Sequence, residues 1–159
     1  RGLAGIDGTV ASALGLAMAS GRPVRAVMGD MTFAYDLATL AQRPEGLKPE
    51  APGVGPDIQV VVLDDGGGSI FASLEHGAAP QELYGRFFGV RPRLDAVAAA
   101  EAAGWAGCSI STLKELREKL RVPIRGRSML RVTIPWPADE IAAARAVAEE
   151  AVAARAGGE

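Results

Sequence analysis

Cysteine occurs once, as Cys108, so this chain can form no internal disulfide, and a reducing, cytoplasmic setting is expected. A single cysteine between Gly107 and Ser109 is expected to be a small buried hydrophobe rather than a nucleophile. Basic residues are scattered and the net charge is -2, so no basic stripe offers itself to nucleic acid. No apolar run approaches the roughly 18 residues that a membrane span needs. No signal peptide, targeting segment or internal repeat is visible. The chain also opens on Arg1 instead of Met, in a stretch that reads as the middle of a domain, so a C-terminal piece of a longer protein is expected. What is present is apolar bulk: 48% of the 159 residues are hydrophobic, enough for one globular domain, 1–159, with a real core.

Taken in order, Thr9 to Ser20 is small and apolar, with Asp7 as the expected N-cap and Gly21 as the stop, which predicts a buried helix. Val24 to Met28 predicts a strand, and Phe33, Leu37 and Leu40 at helical spacing predict a helix ending near Gln42. Four prolines and three glycines within residues 43–57 exclude regular structure and predict a surface excursion. Ile58 to Leu63 is nearly continuous and β-branched, the pattern of a central strand covered on both faces. A short helix is expected from Ser69 to Glu75, then an irregular stretch holding Tyr84, Phe87 and Phe88. Further on, a helix (Leu94–Ala103), a strand (Ala106–Ile110), a helix capped by Ser111 with Glu115 in its first turn, a strand (Met129–Ile134) and a long closing helix (Ala138–Ala156) are expected. This alternation predicts an α/β fold, a parallel sheet with helices on both faces.

Two strand ends carry the chemistry. One predicted strand stops at Gly29-Asp30, the other at Asp64-Asp65-Gly66-Gly67-Gly68. Parallel strands present ligands at their carboxyl ends, so both acidic turns are expected at one edge. Carboxylate and carbonyl oxygens suit a hard divalent cation. Consecutive glycines let the backbone approach an anion, and a helix opening at Ser69 would offer phosphate its free N–H groups.

The pair of turns resembles the thiamine diphosphate motif, which begins Gly-Asp and ends in a turn that usually bears Asn. Three blocks narrow the likeness. Arg1-Gly2-Leu3-Ala4-Gly5-Ile6-Asp7-Gly8, Gly29-Asp30-Met31-Thr32-Phe33-Ala34-Tyr35-Asp36 and Gly67-Gly68-Ser69-Ile70-Phe71 are similar to the 2-succinyl-5-enolpyruvyl-6-hydroxy-3-cyclohexene-1-carboxylate synthases. They fall in the right order within residues 1–71 and imply the diphosphate-binding, C-terminal domain of such an enzyme. The resemblance implies that Asp30, Asp65 and the carbonyl of Gly67 hold Mg²⁺ or Mn²⁺. Gly5, Gly29, Met31, Thr32, Ser69 and Ile70 would then line the cofactor, with Met31 and Thr32 along its diphosphate. Ile6 matches the residue that props the cofactor into its bent form. Arg1 matches an arginine that meets a substrate carboxylate, and Ile70, Phe71 and Leu74 match an apolar substrate wall.

The function so implied is a transferase of menaquinone biosynthesis. It would be thiamine diphosphate-dependent, decarboxylating 2-oxoglutarate and adding the succinyl unit to isochorismate. The base that activates the cofactor would come from the pyrimidine-binding domain of a second subunit, in a homodimer or homotetramer. These 159 residues alone are therefore expected to hold no catalytic base and to be inactive. Two other readings stay open: a different thiamine enzyme, acetolactate synthase-like or a 2-oxo acid decarboxylase, and a non-catalytic domain of the same fold.

Overall fold

The β-branched run that ends at Leu63 is the second of four strands in a parallel sheet. The computed structural model describes residues 5–42, 55–134 and Val147. In chain order their elements are α1 (Thr9–Ser20), β1 (Val24–Gly29), α2 (Asp30–Tyr35), β2 (Ile58–Asp64), α3 (Gln81–Phe87), α4 (Ala96–Ala102), β3 (Ala106–Ile110), α5 (Leu113–Arg121) and β4 (Arg127–Thr133). Short 3₁₀ turns lie at Leu37–Ala41, Ser69–Ser73 and Glu75–Ala78. The chain divides into two compact units, Arg1–Asp64 with Pro92–Ile134, and Asp65–Arg91 with Pro135–Glu159.

The first unit holds the sheet, in the order β1-β2-β4-β3 with every pairing parallel. β2 is inner, and Ile58 through Val62 are all buried. Alternation along the strand divides them between two cores. Ile58, Val60 and Val62 pack with Val10 and Leu14 of α1, Phe33 of α2, Leu40, and Ala96 and Ala100 of α4. Val61 belongs to the opposite cluster with Ile110 and Leu130, against which Leu63, Cys108 and the α5 residues Leu116 and Leu120 are packed. Helices therefore cover both faces, as the alternation of elements predicts. Cys108 is half-buried against the second cluster, less enclosed than expected.

Several local expectations shift. Gly8, not Asp7, is the N-cap of α1, with φ 68 and no side-chain capping bond. A glycine in the left-handed region turns the chain into the helix by itself, which leaves Asp7 a residue too early to cap it. Only one face of α1 is buried (Val10, Ala13, Leu14, Ala17), while Leu16 and Met18 are 58% and 44% exposed. The helix expected to reach Gln42 breaks at Asp36 and resumes as the 3₁₀ turn Leu37–Ala41. The cause is the buried Asp36 carboxylate, which accepts from the Ala11 N–H at 3.0 Å and the Thr39 hydroxyl at 2.7 Å. The local bond to Thr39 competes with the helical ladder, and the long-range one to Ala11 ties α1 to the turn after α2. Asp95 caps α4 by accepting from Val97 N and Ala98 N, both at 3.1 Å, so that helix starts later than Leu94.

At α5 the cap is Thr112, not Ser111. Its hydroxyl accepts from Glu115 N at 3.2 Å, and the Glu115 carboxylate accepts from Thr112 N at 3.2 Å. That reciprocal box needs a spacing of three, which Thr112 has and Ser111 lacks. Ser111 adds its own N–H and hydroxyl to the same carboxylate. These backbone bonds hold the Glu115 pKa below its ordinary value of 4.5.

In the second unit, the helix expected over Ser69–Glu75 is the 3₁₀ turn Ser69–Ser73. The stretch expected to be irregular contains α3, with Tyr84 buried on it. The closing helix expected over Ala138–Ala156, apart from Val147, most of the excursion at 43–57 and Arg1 lie outside the described residues. Among the described residues no helix is long and apolar enough to cross a membrane.

Candidate functional site

In the first unit, β1 and β2 pair in parallel with Gly29 opposite Leu63, so the ends carrying Asp30 and Asp64 leave the sheet at one edge. Asp30 opens α2 and is buried, 8% exposed. Its Oδ1 accepts from the Met31 N–H at 2.7 Å. Met31 and Thr32 follow in the first turn, half-buried. Its chain neighbours aside, no atom of the described residues lies within 4 Å of the position a Cβ would take at Gly29, so among them the strand end has open space beside it. Asp64 is committed elsewhere: its Oδ2 accepts from Arg131 Nε across the β2–β4 pairing. Gly5 and Ile6 precede α1 without regular structure, and Ile6 is 39% exposed.

In the second unit, the half-buried Asp65 accepts a hydrogen bond from the hydroxyl of Ser69, itself buried. Between them Gly67 adopts φ 128, a region that side chains other than glycine's rarely enter. The turn is also packed too closely for side chains. A Cβ at Gly67 would sit 2.2 Å from the Gly89 carbonyl oxygen, and one at Gly68 would sit 2.1 Å from that of Phe88. The Gly67 carbonyl accepts from Ser69 N at 3.0 Å, the Gly68 N–H donates to Gly89 O at 2.9 Å, and the Tyr84 hydroxyl donates to Gly68 O at 2.9 Å. Ser69 therefore opens a short 3₁₀ turn, not the helix whose N-terminus was expected to hold phosphate. The glycine turn's own packing, with its γ-like bond at Gly68, sets this geometry.

Ile70, Phe71 and Leu74 are exposed at 64%, 38% and 42%. Phe71 rests one side on an aromatic group: His76 meets it edge-on at 6.0 Å between centroids, and Phe88 lies at 6.2 Å. His76 in turn lies 4.6 Å from Phe88.

Tyr84, Asp36 and Arg131 escaped the sequence reading. Tyr84 was legible only as one aromatic among several, because the glycine in the middle of Leu83-Tyr84-Gly85-Arg86-Phe87 masks helical periodicity. Burial raises the Tyr84 pKa above 10.0; a backbone bond to Ala72 opposes the shift and the charge of Asp65 adds to it. Its phenol therefore stays a donor through neutral pH.

Among the described residues no group of three or more His, Cys, Asp or Glu side chains could hold a metal by itself. The donors at the two strand ends are oxygens, the buried Asp30 carboxylate on one unit and Asp65 with the Gly67 carbonyl on the other. On each unit by itself these are oxygen donors, the atom type that a hard cation takes.

The chain matches the family model of the thiamine pyrophosphate enzyme, C-terminal TPP binding domain, over residues 1–132; thiamine pyrophosphate is thiamine diphosphate under another name. It is similar to the 2-succinyl-5-enolpyruvyl-6-hydroxy-3-cyclohexene-1-carboxylate synthase of Renibacterium salmoninarum, 42% identical over 137 residues that cover 83% of this chain and 24% of that protein. The synthase of the same name from Paenarthrobacter aurescens is 41% identical over 139 residues, covering 84% of this chain and 23% of that protein. That of a Nocardioides species is 39% identical over 137 residues, with 84% and 24% covered. The chain thus spans about a quarter of the length of the curated relatives it matches. With an all-parallel sheet whose acidic strand ends share an edge, and a family match over residues 1–132, the chain belongs to the family of C-terminal TPP-binding domains of thiamine pyrophosphate enzymes.

Proposed function

We propose that this chain supplies the metal–diphosphate half of a thiamine diphosphate-dependent transferase that decarboxylates 2-oxoglutarate and adds the succinyl unit to isochorismate in menaquinone biosynthesis. The observation that carries the reading is the 42% and 41% identity, over more than four-fifths of the chain, to proteins named for that synthesis. Asp30, the Asp65 carboxylate and the Gly67 carbonyl hold Mg²⁺ or Mn²⁺. The oxygen-only donors and the open space at Gly29 support this. Asp65 stands where most thiamine enzymes have Asn, so the site carries one more negative charge.

Bound thiamine diphosphate supplies the carbanion chemistry, and the chain's work is to hold and orient it. Gly5, Gly29, Met31, Thr32, Ser69 and Ile70 line it, and Ile6 props its bent form. Arg1 meets a substrate carboxylate. Ile70, Phe71 and Leu74 form the apolar wall of the substrate pocket, a role that their exposure supports. The activating base comes from the pyrimidine-binding domain of a second subunit, in a cytoplasmic homodimer or homotetramer, so residues 1–159 alone turn over nothing.

The test is CO₂ release by the full-length protein with Mg²⁺, thiamine diphosphate, 2-oxoglutarate and isochorismate. Isochorismate-dependent turnover is expected, with none from residues 1–159 alone. Steady release by the fragment would mean that the base lies within it. Turnover of pyruvate in place of 2-oxoglutarate would mark an acetolactate synthase-like enzyme. Cofactor binding without turnover of any 2-oxo acid would mark a non-catalytic domain.

A further inference from the structure

The metal-binding turn is built of glycines, the residues least able to hold a carbonyl in one direction by themselves. Its order comes from outside the turn, from the segment Tyr84–Gly89 at the end of α3, within the same unit. Two bonds grip the two sides of Gly68. Its N–H donates to Gly89 O at 2.9 Å, and its carbonyl accepts from the buried Tyr84 hydroxyl at 2.9 Å. The Gly68 N–H and the Gly67 carbonyl belong to one planar trans peptide and point opposite ways. Aiming the N–H at Gly89 therefore aims the Gly67 carbonyl away from that segment. One lone pair of this carbonyl receives the Ser69 N–H at 3.0 Å, and an amide oxygen has a second.

The gripping segment is itself tied to Tyr84, whose carbonyl accepts from both Phe88 N at 2.9 Å and Gly89 N at 2.8 Å. Tyr84 thus acts twice: its main chain places the Gly89 carbonyl, and its hydroxyl holds Gly68. Close approach enforces the fit, since any Cβ at Gly67 or Gly68 would strike the Gly89 or Phe88 oxygen.

We propose that Tyr84 is a positioning residue for the divalent cation: through its bond to the Gly68 carbonyl it fixes the direction in which the Gly67 carbonyl faces the metal. This rests on the reading that the Gly67 carbonyl is a metal ligand. Tyr84 touches neither cation nor substrate and acts only through the turn. Losing its hydroxyl frees the Gly68–Ser69 peptide, whose Ser69 N–H bonds the Gly67 carbonyl, so that carbonyl loses its fixed direction; this weakens the cation site and leaves the apolar substrate wall in place.

The test uses the full-length protein and its Tyr84→Phe variant, which keeps the ring and removes only the donor. At fixed thiamine diphosphate, the Mg²⁺ concentration for half-maximal cofactor binding is read by calorimetry, and the unliganded melting temperature confirms folding. The half-saturating Mg²⁺ is expected to rise about tenfold while KM for 2-oxoglutarate stays within twofold. Gly89→Ala, whose new Cβ would press on the Tyr84 ring at 3.3 Å, is expected to give a smaller rise in the same direction. It serves as the second variant should Tyr84→Phe fold poorly. Half-saturation within twofold of wild type in the folded variant overturns the proposal, whatever the melting temperature does. If the wild-type protein binds the cofactor with no dependence on Mg²⁺, the metal reading fails and the proposal falls with it.

Discussion

The guanidinium of Arg131 on β4 donates to the carboxylate of Asp64 at the end of β2, one residue before Asp65. Val62, not Asp64, is the register partner of Arg131, so the pair is diagonal and ties the carboxyl-terminal end of the inner strand to its neighbour. The Asp64 side chain is 17% exposed and accepts a charge-assisted bond. Of two adjacent aspartates, one is thereby engaged by the sheet and the other begins the glycine turn. Arg131→Leu should destabilise the fold by about 1–2 kcal/mol, or about 2–8 °C in Tm, because the carboxylate loses a charge-assisted donor. Thermal unfolding by circular dichroism checks this; an unchanged Tm would show that the pair contributes nothing.

The capping box of α5 carries a pH signature. Glu115 has a folded-state pKa below its ordinary value of 4.5, so the folded state binds this proton more weakly than the unfolded chain. Its stabilisation is complete above that ordinary value and fades as pH falls through the lower, folded one. Glu115→Gln should therefore have a lower Tm than wild type at pH 7, and the two should converge as the pH drops from 5 towards 3. Tm against pH for both proteins is the measurement. A constant difference across that range would remove the assignment.

Most of the sheet was legible because burial on two faces leaves a strong mark: Ile58–Leu63 is β-branched nearly throughout, and β3 spans Ala106–Ile110 as the pattern predicts. What was not legible turns on single polar groups and glycines. Nothing in the spacing of Phe33, Leu37 and Leu40 says that Asp36 will turn its carboxylate to Ala11 of α1 and break the helix, since that partner is 25 residues away. Likewise α3 has too few residues, with Gly85 inside it, to show a period. At the candidate site the sequence marked Asp30, Asp65 and Gly67 but not Tyr84, whose role depends on a bond to a backbone carbonyl 16 residues earlier. Bonds from a side chain to a distant backbone group leave no residue pattern to read.

Ile6 offers a test of positioning apart from binding. Ile6→Ala in the full-length enzyme should keep thiamine diphosphate affinity within about threefold and lower kcat by about 10–100-fold, because a bent cofactor is an orientation effect. Steady-state kinetics with calorimetry separate the two. Unchanged kcat would remove Ile6 from the site.

Replacing Asp65 by Asn removes one negative charge while keeping an oxygen able to accept from the Ser69 hydroxyl. Asp65→Asn should raise half-saturating Mg²⁺ by less than tenfold, and Asp30→Asn by more, since Asp30 is the buried carboxylate at the strand end. Metal titrations of the two variants rank them. The reverse order would reassign the principal ligand.

Under the proposed function, a divalent cation held by Asp30 and Asp65 ties the cofactor's diphosphate to this chain. Calorimetric titration of thiamine diphosphate into the full-length protein, with Mg²⁺, with EDTA, and as the Asp30→Asn variant, tests it directly. Saturable binding is expected with Mg²⁺, and at least a hundredfold weaker binding in EDTA and in the variant, whose far-ultraviolet circular dichroism should match wild type. Binding of equal strength in all three would show that no cation at Asp30 holds the diphosphate.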